Sequence, residues 1–376
     1  MRGIYIHIPF CRKICNYCDF YKMVVSDGFK KEYINYLIED LKYTINKYDL
    51  KEINTIYIGG GTPSCLPLES LKLLFDELSS SFDLRRLSEF TIEANPEDLS
   101  VEFIELIKKY HVSRLSIGVQ TFSVKNQSVL GRVTNFEKLS KSVELLKKNN
   151  LSNYSFDLIY ALPNTTCEDI CLDIEKIISL DPKHISTYSL ILEEKTILYH
   201  KYLKNEFSTI DESVDRTMYD FINQALTENG FKQYEISNYS LPGYESKHNL
   251  IYWNSDEYLG IGAGASSFWN SKRFTKVSNI NKYYELIFQK EEPVLEYDIL
   301  DRERLMEDYL MLGLRKIEGI NVMLFEEKFK TNIFKQFQVI HKLVEDGTLI
   351  FENNYLKIHP DFIYISNYVI GKILFD

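Results

Sequence analysis

The chain has 376 residues, 45% of them apolar and 26% charged, which excludes collagen-like and intrinsically disordered classes. Six cysteines are too few for a secreted disulfide framework. A formal net charge of −10, with only short basic clusters such as Lys30-Lys31 and Lys147-Lys148, gives no general grip on nucleic acid or an anionic membrane.

In chain order, residues 3–10 (GIYIHIPF) read as a strand, far shorter than the roughly 20 apolar residues of a membrane span. The same stretch lacks signal-peptide architecture, so a reducing cytoplasm is the expected compartment. Residues 29–48 read as a helix, because Tyr33, Leu37, Leu41 and Ile45 recur every four positions. Strands are expected at 55–60, 89–96, 114–121, 153–163 and 184–192, and helices at 68–82, 100–110, 136–150 and 166–181. Such alternation implies crossover connections and a parallel sheet. Six units are too few for an eight-fold barrel, while an open three-quarter barrel and a doubly wound sheet fit the pattern equally. Either would gather its site at the C-terminal strand ends. Cys11, Gly59 to Gly61, Glu93, Gln120 and Asp157 all fall there. Beyond residue 200 a helix is expected at 211–229, then an aromatic and glycine-rich stretch at 247–268, with Glu291-Glu292-Pro293 as a linker candidate. The end reads as three helices and a hairpin at 348–358, turning at Asn353-Asn354, which implies a small winged-helix-like module.

Half of the cysteines, Cys11, Cys15 and Cys18, fall within eight residues as C-x3-C-x2-C. Thiolates suit zinc or an iron–sulfur cluster. Three of them on a four-iron cubane leave one iron open for a ligand. His7 is a conceivable fourth ligand, but strand alternation leaves its face undecided. Inert thiols, or zinc completed from elsewhere in the chain, remain alternatives. Cys167 and Cys171, four apart on one helix face, read as packing residues, and Cys65 carries no assigned chemistry.

The segment IHIPFCRKICNYCDF, followed by GGGTPS, resembles the radical S-adenosylmethionine (SAM) signature in its HemN/HemW form. The resemblance implies an α/β fold: a partial (β/α)6 barrel with a C-terminal α+β extension and the winged-helix-like module. It implies a core barrel over 1–235, an extension carrying HNLIYW over 236–300 and a C-terminal module over 301–376. By the same resemblance Cys11, Cys15 and Cys18 hold a [4Fe–4S] cluster whose open iron binds the amino and carboxylate groups of SAM. An electron passed to the sulfonium then yields a 5′-deoxyadenosyl radical. Gly60, Gly61 and Thr62 match the segment that receives the SAM amino group, and Glu93 the carboxylate that holds its ribose. Gln120, Arg132 and Asp157 match positions that touch a second SAM in the HemN branch. Tyr5 and Tyr17 match positions near SAM, and Ile191 one that contributes through its backbone.

Two departures point within the family. Phe20 stands where the HemN branch carries a fourth cysteine, so the chain resembles the haem-chaperone branch more closely. HNLIYW and GIGAGASSF resemble two further blocks of that branch, with Ser266 where histidine is usual. His248 is then a candidate haem contact, evenly balanced against a histidine that merely bonds a loop. Tyr252, Trp253 and Phe268 could line a porphyrin or belong to the core. The resemblance implies haem, a haem-acceptor protein and an electron donor such as flavodoxin or ferredoxin as partners. The alternative is an oxygen-independent coproporphyrinogen III oxidase or related tetrapyrrole-modifying enzyme, which Phe20 disfavours; whether the chain is an enzyme stays open.

Overall fold

The structure, a computed structural model, describes residues 1–375. The six expected strands form: β1 (Arg2–Ile8), β2 (Thr55–Gly60), β3 (Glu89–Ala94), β4 (Arg114–Gln120), β5 (Tyr154–Tyr160) and β6 (His184–Ser189). They lie side by side in chain order, each parallel to the next. That order decides between the two architectures. A doubly wound sheet reverses direction partway, whereas every crossover here steps the same way and curls the sheet into a barrel. The helices between strands begin where side chains cap them. Ser26 accepts from the Phe29 N–H at the start of Asp27–Lys47, and Ser100 from Phe103 at the start of Val101–Lys109. Thr166 and Asp169 form a reciprocal capping box on Cys167–Ser179.

The barrel stays open because its two edge strands take other partners. Past β6 come β7 (Lys232–Glu235) and β8 (Asn238–Ser240), a hairpin whose β8 pairs antiparallel with β6. The sheet therefore runs without a break through residue 235. On the far edge β9 (Glu257–Ile261) pairs parallel with β1, followed by β10 (Ser266–Trp269), β11 (Lys272–Lys276) and β12 (Val294–Ile299), which extend the sheet antiparallel. The Glu291-Glu292-Pro293 segment is no loose linker: Glu292 accepts from the Tyr48 hydroxyl at 2.7 Å and pairs with Lys47. A buried ion pair ties this edge to the first helix. Asp40 meets Lys276 and also accepts from the Gly262 N–H at 2.9 Å and the Tyr283 hydroxyl at 2.8 Å.

The C-terminal part is a winged-helix-like unit. Helices Arg302–Gly313, Val322–Phe329, Ile333–Gln336 and Val339–Glu345 accompany a three-stranded sheet of β13 (Ile320–Asn321), β14 (Leu349–Glu352) and β15 (Tyr355–Ile358). Asn353 and Asn354 have φ of 51° and 66°, as a two-residue hairpin turn requires. Among the described residues no helix is long and apolar enough to cross a membrane.

Candidate functional site

The C-terminal strand ends of the barrel open into a cavity of about 580 Å³. Its rim begins with the loop that follows β1. The neck of this loop is closed by backbone bonds, from Cys11 N–H to the Met23 carbonyl at 3.0 Å and from Met23 N–H to the Pro9 carbonyl at 2.7 Å. Asn16 clips its middle to the opposite wall, donating from its backbone N–H to Leu130 and from Nδ2 to Val129, both at 2.9 Å, and accepting from Leu198 at 2.8 Å. Arg12 pins it to Asp98 at 2.8 Å. The loop is thereby fixed, and Cys11, Cys15 and Cys18 all face the cavity.

Burial pushes the Cys11 thiol up to about 11 and raises Cys18 as well; the neighbouring cysteines add to both. As bare thiols these two hold their protons, so a metal centre must displace them on binding. Among the described residues no three His, Cys, Asp or Glu side chains converge tightly enough to chelate a single ion. Three sulfur donors that line one cavity fit a cubane gripped at three corners. His7 supplies no fourth ligand, because both ring nitrogens are engaged: Nδ1 with the Tyr5 hydroxyl at 2.8 Å and Nε2 with the Tyr21 carbonyl at 3.1 Å.

The glycine turn after β2 exists for close packing. Gly60 has φ of +115°, and a Cβ there would lie 2.5 Å from the His7 ring. A Cβ on Gly61 would lie 2.6 Å from the Phe10 carbonyl, just ahead of Cys11. The turn's N–H groups are not free for a ligand. Gly60 donates to Glu93 Oε2 at 3.0 Å, Gly61 to Ile8 at 2.8 Å and Thr62 to Phe10 at 2.7 Å. What this backbone can offer a ligand is carbonyl oxygen, which suits an ammonium group better than an anion.

Glu93, one residue before the end of β3, is half-buried on the cavity wall, with its other oxygen accepting from the Tyr57 hydroxyl at 2.7 Å. Desolvation lifts its carboxyl to about 7, and the nearby Asp157 adds to the shift. Gln120 ends β4 at φ +71° beside an irregularity in the β4–β5 register, which turns its side chain into the cavity. Arg132 donates to Asn95 at 2.6 Å and to the Gly118 carbonyl at 2.5 Å, beside Tyr17. Asp157 on β5 accepts from Ser116 at 3.4 Å, its pKa raised by burial. Tyr17, Thr62 and Ile191 also line this wall. Tyr5 does not; it stands behind it, bonded to His7.

Several residues of the wall escaped the sequence reading, among them Tyr57, Arg114 and Asn249 of the HNLIYW block. Tyr57 could have been found, since alternation in TIYIGG places it opposite Ile56 and Ile58. Arg114 left no signal. It is almost fully buried at the start of β4, donates to Ser155 at 3.0 Å and keeps Nε unpartnered.

The structure places His248 away from the cavity and gives its ring a structural role. The ring is fully buried at the opposite end of the barrel, against Gly3 and Thr55. Its Nδ1 pairs with the Thr55 hydroxyl at 2.7 Å and its Nε2 with the Tyr252 hydroxyl at 2.8 Å, so no nitrogen is free for iron. Glu89 holds the start of helix Lys247–Trp253 by accepting from the Lys247 and His248 N–H groups at 2.9 and 3.1 Å. HNLIYW is thus the plug of the barrel floor. Tyr252, Trp253 and Phe268 lie off the cavity wall, and Ser266 pairs with Thr275 at 2.9 Å.

Residues 5–177 match the model of the radical SAM superfamily, and residues 300–360 that of the HemN C-terminal domain. The heme chaperone HemW of Lactococcus lactis subsp. lactis (strain IL1403) is 38% identical over 99% of this chain and 97% of its own length. That of Bacillus subtilis (strain 168) is also 38% identical, over 93% of each chain. Among solved structures, the coproporphyrinogen III oxidase HemN of Escherichia coli superposes with a TM-score of 0.85 at 18% identity, covering 98% of this chain and 89% of that one.

Proposed function

From a chain that belongs to the radical SAM superfamily, and within it to the heme chaperone HemW family, we propose a protein that binds haem and passes it to an acceptor. The observation that carries this reading is near-full-length identity of 38% to heme chaperones of that name. Likeness to HemN is one of fold at 18% identity, and Phe20 occupies the position of that branch's fourth cysteine.

Cys11, Cys15 and Cys18 would hold the cluster by three thiolates. Together the cluster and SAM supply one-electron reduction of a sulfonium. The carbonyls of the Gly60-Gly61 turn would receive the SAM ammonium, while Thr62 donates to Cys11 Sγ at 3.7 Å. The Glu93 carboxylate, aimed by Tyr57 and the Gly60 N–H, would accept from the ribose hydroxyls. Tyr17, Gln120, Arg132, Asp157 and the Ile191 backbone complete the pocket, with Tyr5 steadying it through His7. An electron donor of the flavodoxin or ferredoxin kind and a cytoplasmic location belong to the same reading.

Reconstituted protein titrated with haemin should show a saturable change in the Soret region at one haem per chain. Absence of saturable binding removes the chaperone reading, and anaerobic consumption of coproporphyrinogen with SAM and reductant would favour the oxidase instead.

Glu93 gives a pH test. Its carboxyl titrates near 7 rather than 4.5, and only the ionised form is a full acceptor for two hydroxyls. SAM affinity should therefore rise by up to about tenfold from pH 6 to pH 8. Glu93→Gln should bind more weakly and lose the pH dependence; a parent protein whose SAM affinity is flat over that range contradicts the assignment. The linkage to folding runs the other way: a carboxyl raised in the folded state loses its contribution as pH climbs from about 4.5 through 7.

A further inference from the structure

The mouth of the barrel carries a ring of large apolar side chains in water. Ile14 is 40% exposed, Phe20 65%, Val133 79% and Ile191 70%. All four line the cavity, yet they come from three separate segments: the cysteine loop, the turn after helix Val124–Leu130 and the turn after β6. The ring is held in place, because Asn16 bonds the cysteine loop both to the end of that helix and to Leu198. A scattered exposed Val or Ile needs no explanation, but four on one fixed rim form a patch that a ligand or partner would cover.

Resting on the haem-binding reading above, we propose that this rim is the seat of the haem macrocycle. A porphyrin is a flat apolar disc with two carboxylates at one edge, and the rim offers both complements. Ile14, Phe20, Val133 and Ile191 supply the apolar floor, whose burial under the macrocycle removes apolar surface from water. Arg12, Lys13, Lys22 and Arg132 lie on the same wall of a chain whose net charge is −10. Asp19, Glu97 and Glu193 are there too, so the propionates must lie toward the cationic stretch of the cysteine loop. The other end of the barrel offers no rival seat at His248, whose ring is sealed and doubly bonded. Haem on the rim would cover the cavity that holds the three cysteines.

The test uses reconstituted full-length protein with haemin as the probe. Val133→Asp should raise the haem Kd at least tenfold, while iron, sulfide and SAM affinity stay at parental levels, and Phe20→Ser/Val133→Asp should raise the haem Kd further. Val133 lies outside the cysteine loop, so the single variant reads the rim even if Phe20→Ser disturbs the cluster. His248→Gln should keep the parental haem affinity. Rim variants that bind haem as tightly as the parent overturn the proposal and leave the patch to a protein partner. Loss of haem binding in His248→Gln alone would also overturn it. Failure of the parent to bind haem is a different result, which removes the chaperone reading itself.

Discussion

Serine in place of Cys11, Cys15 or Cys18 should strip the reconstituted protein of iron and sulfide and of its brown colour while leaving the fold standing. Cys15→Ser is the cleanest case. All three cysteines sit half-exposed in a loop whose shape comes from backbone bonds at its neck, the Asn16 clip and the Arg12–Asp98 pair. None of these bonds involves Sγ. The apo-variant should therefore unfold at the same denaturant concentration as the apo-parent. Iron content should fall from about four per chain toward background, since a cubane held by only three thiolates has none to spare. Parental iron in Cys15→Ser would refute its place as a ligand.

A second large effect lies far from the cavity. Asp40→Ala should destabilise the apo-protein by roughly 3–5 kcal/mol, because it strands the buried Lys276 ammonium without a counter-ion. Lys276 is left with the Thr44 hydroxyl at 3.0 Å. The Gly262 N–H and the Tyr283 hydroxyl lose their acceptor as well, and both are buried. Replacing both charges, as in Asp40→Leu/Lys276→Met, should recover much of the loss, since the penalty is that of an unpaired charge more than of a missing bond. Urea unfolding reads both variants. A shift below about 1 kcal/mol for Asp40→Ala would show the pair to be solvated in practice.

The barrel was legible because its strands are short apolar runs stopped by glycine or proline. Residues 55–60 were read with the observed ends, and 89–96 ran only two residues long. The reading overshot where a strand turns into the rim. Ala161 takes φ of +57°, which ends β5, and Leu190 bonds back to Tyr160 just past the end of β6. Strands β11 and β12 were invisible: KRFTK and VLEYDI carry too many charges, and β12 is an edge strand with most of its residues exposed. The cavity residues were legible as strand-end positions, but what each one touches was not. Nothing in the residue order says that the glycine turn spends its N–H groups on Glu93, Ile8 and Phe10, or that His248 lies at the closed end between Thr55 and Tyr252. Those facts depend on contacts between segments as far as 193 residues apart.

The most direct measurement is electron paramagnetic resonance of anaerobically reconstituted, reduced protein with and without saturating SAM, on samples assayed for metal and sulfide. About four irons and four sulfides per chain, with a cubane signal that changes when SAM is added, are expected of a cluster held at three corners. A signal indifferent to SAM, or zinc without sulfide, would contradict it.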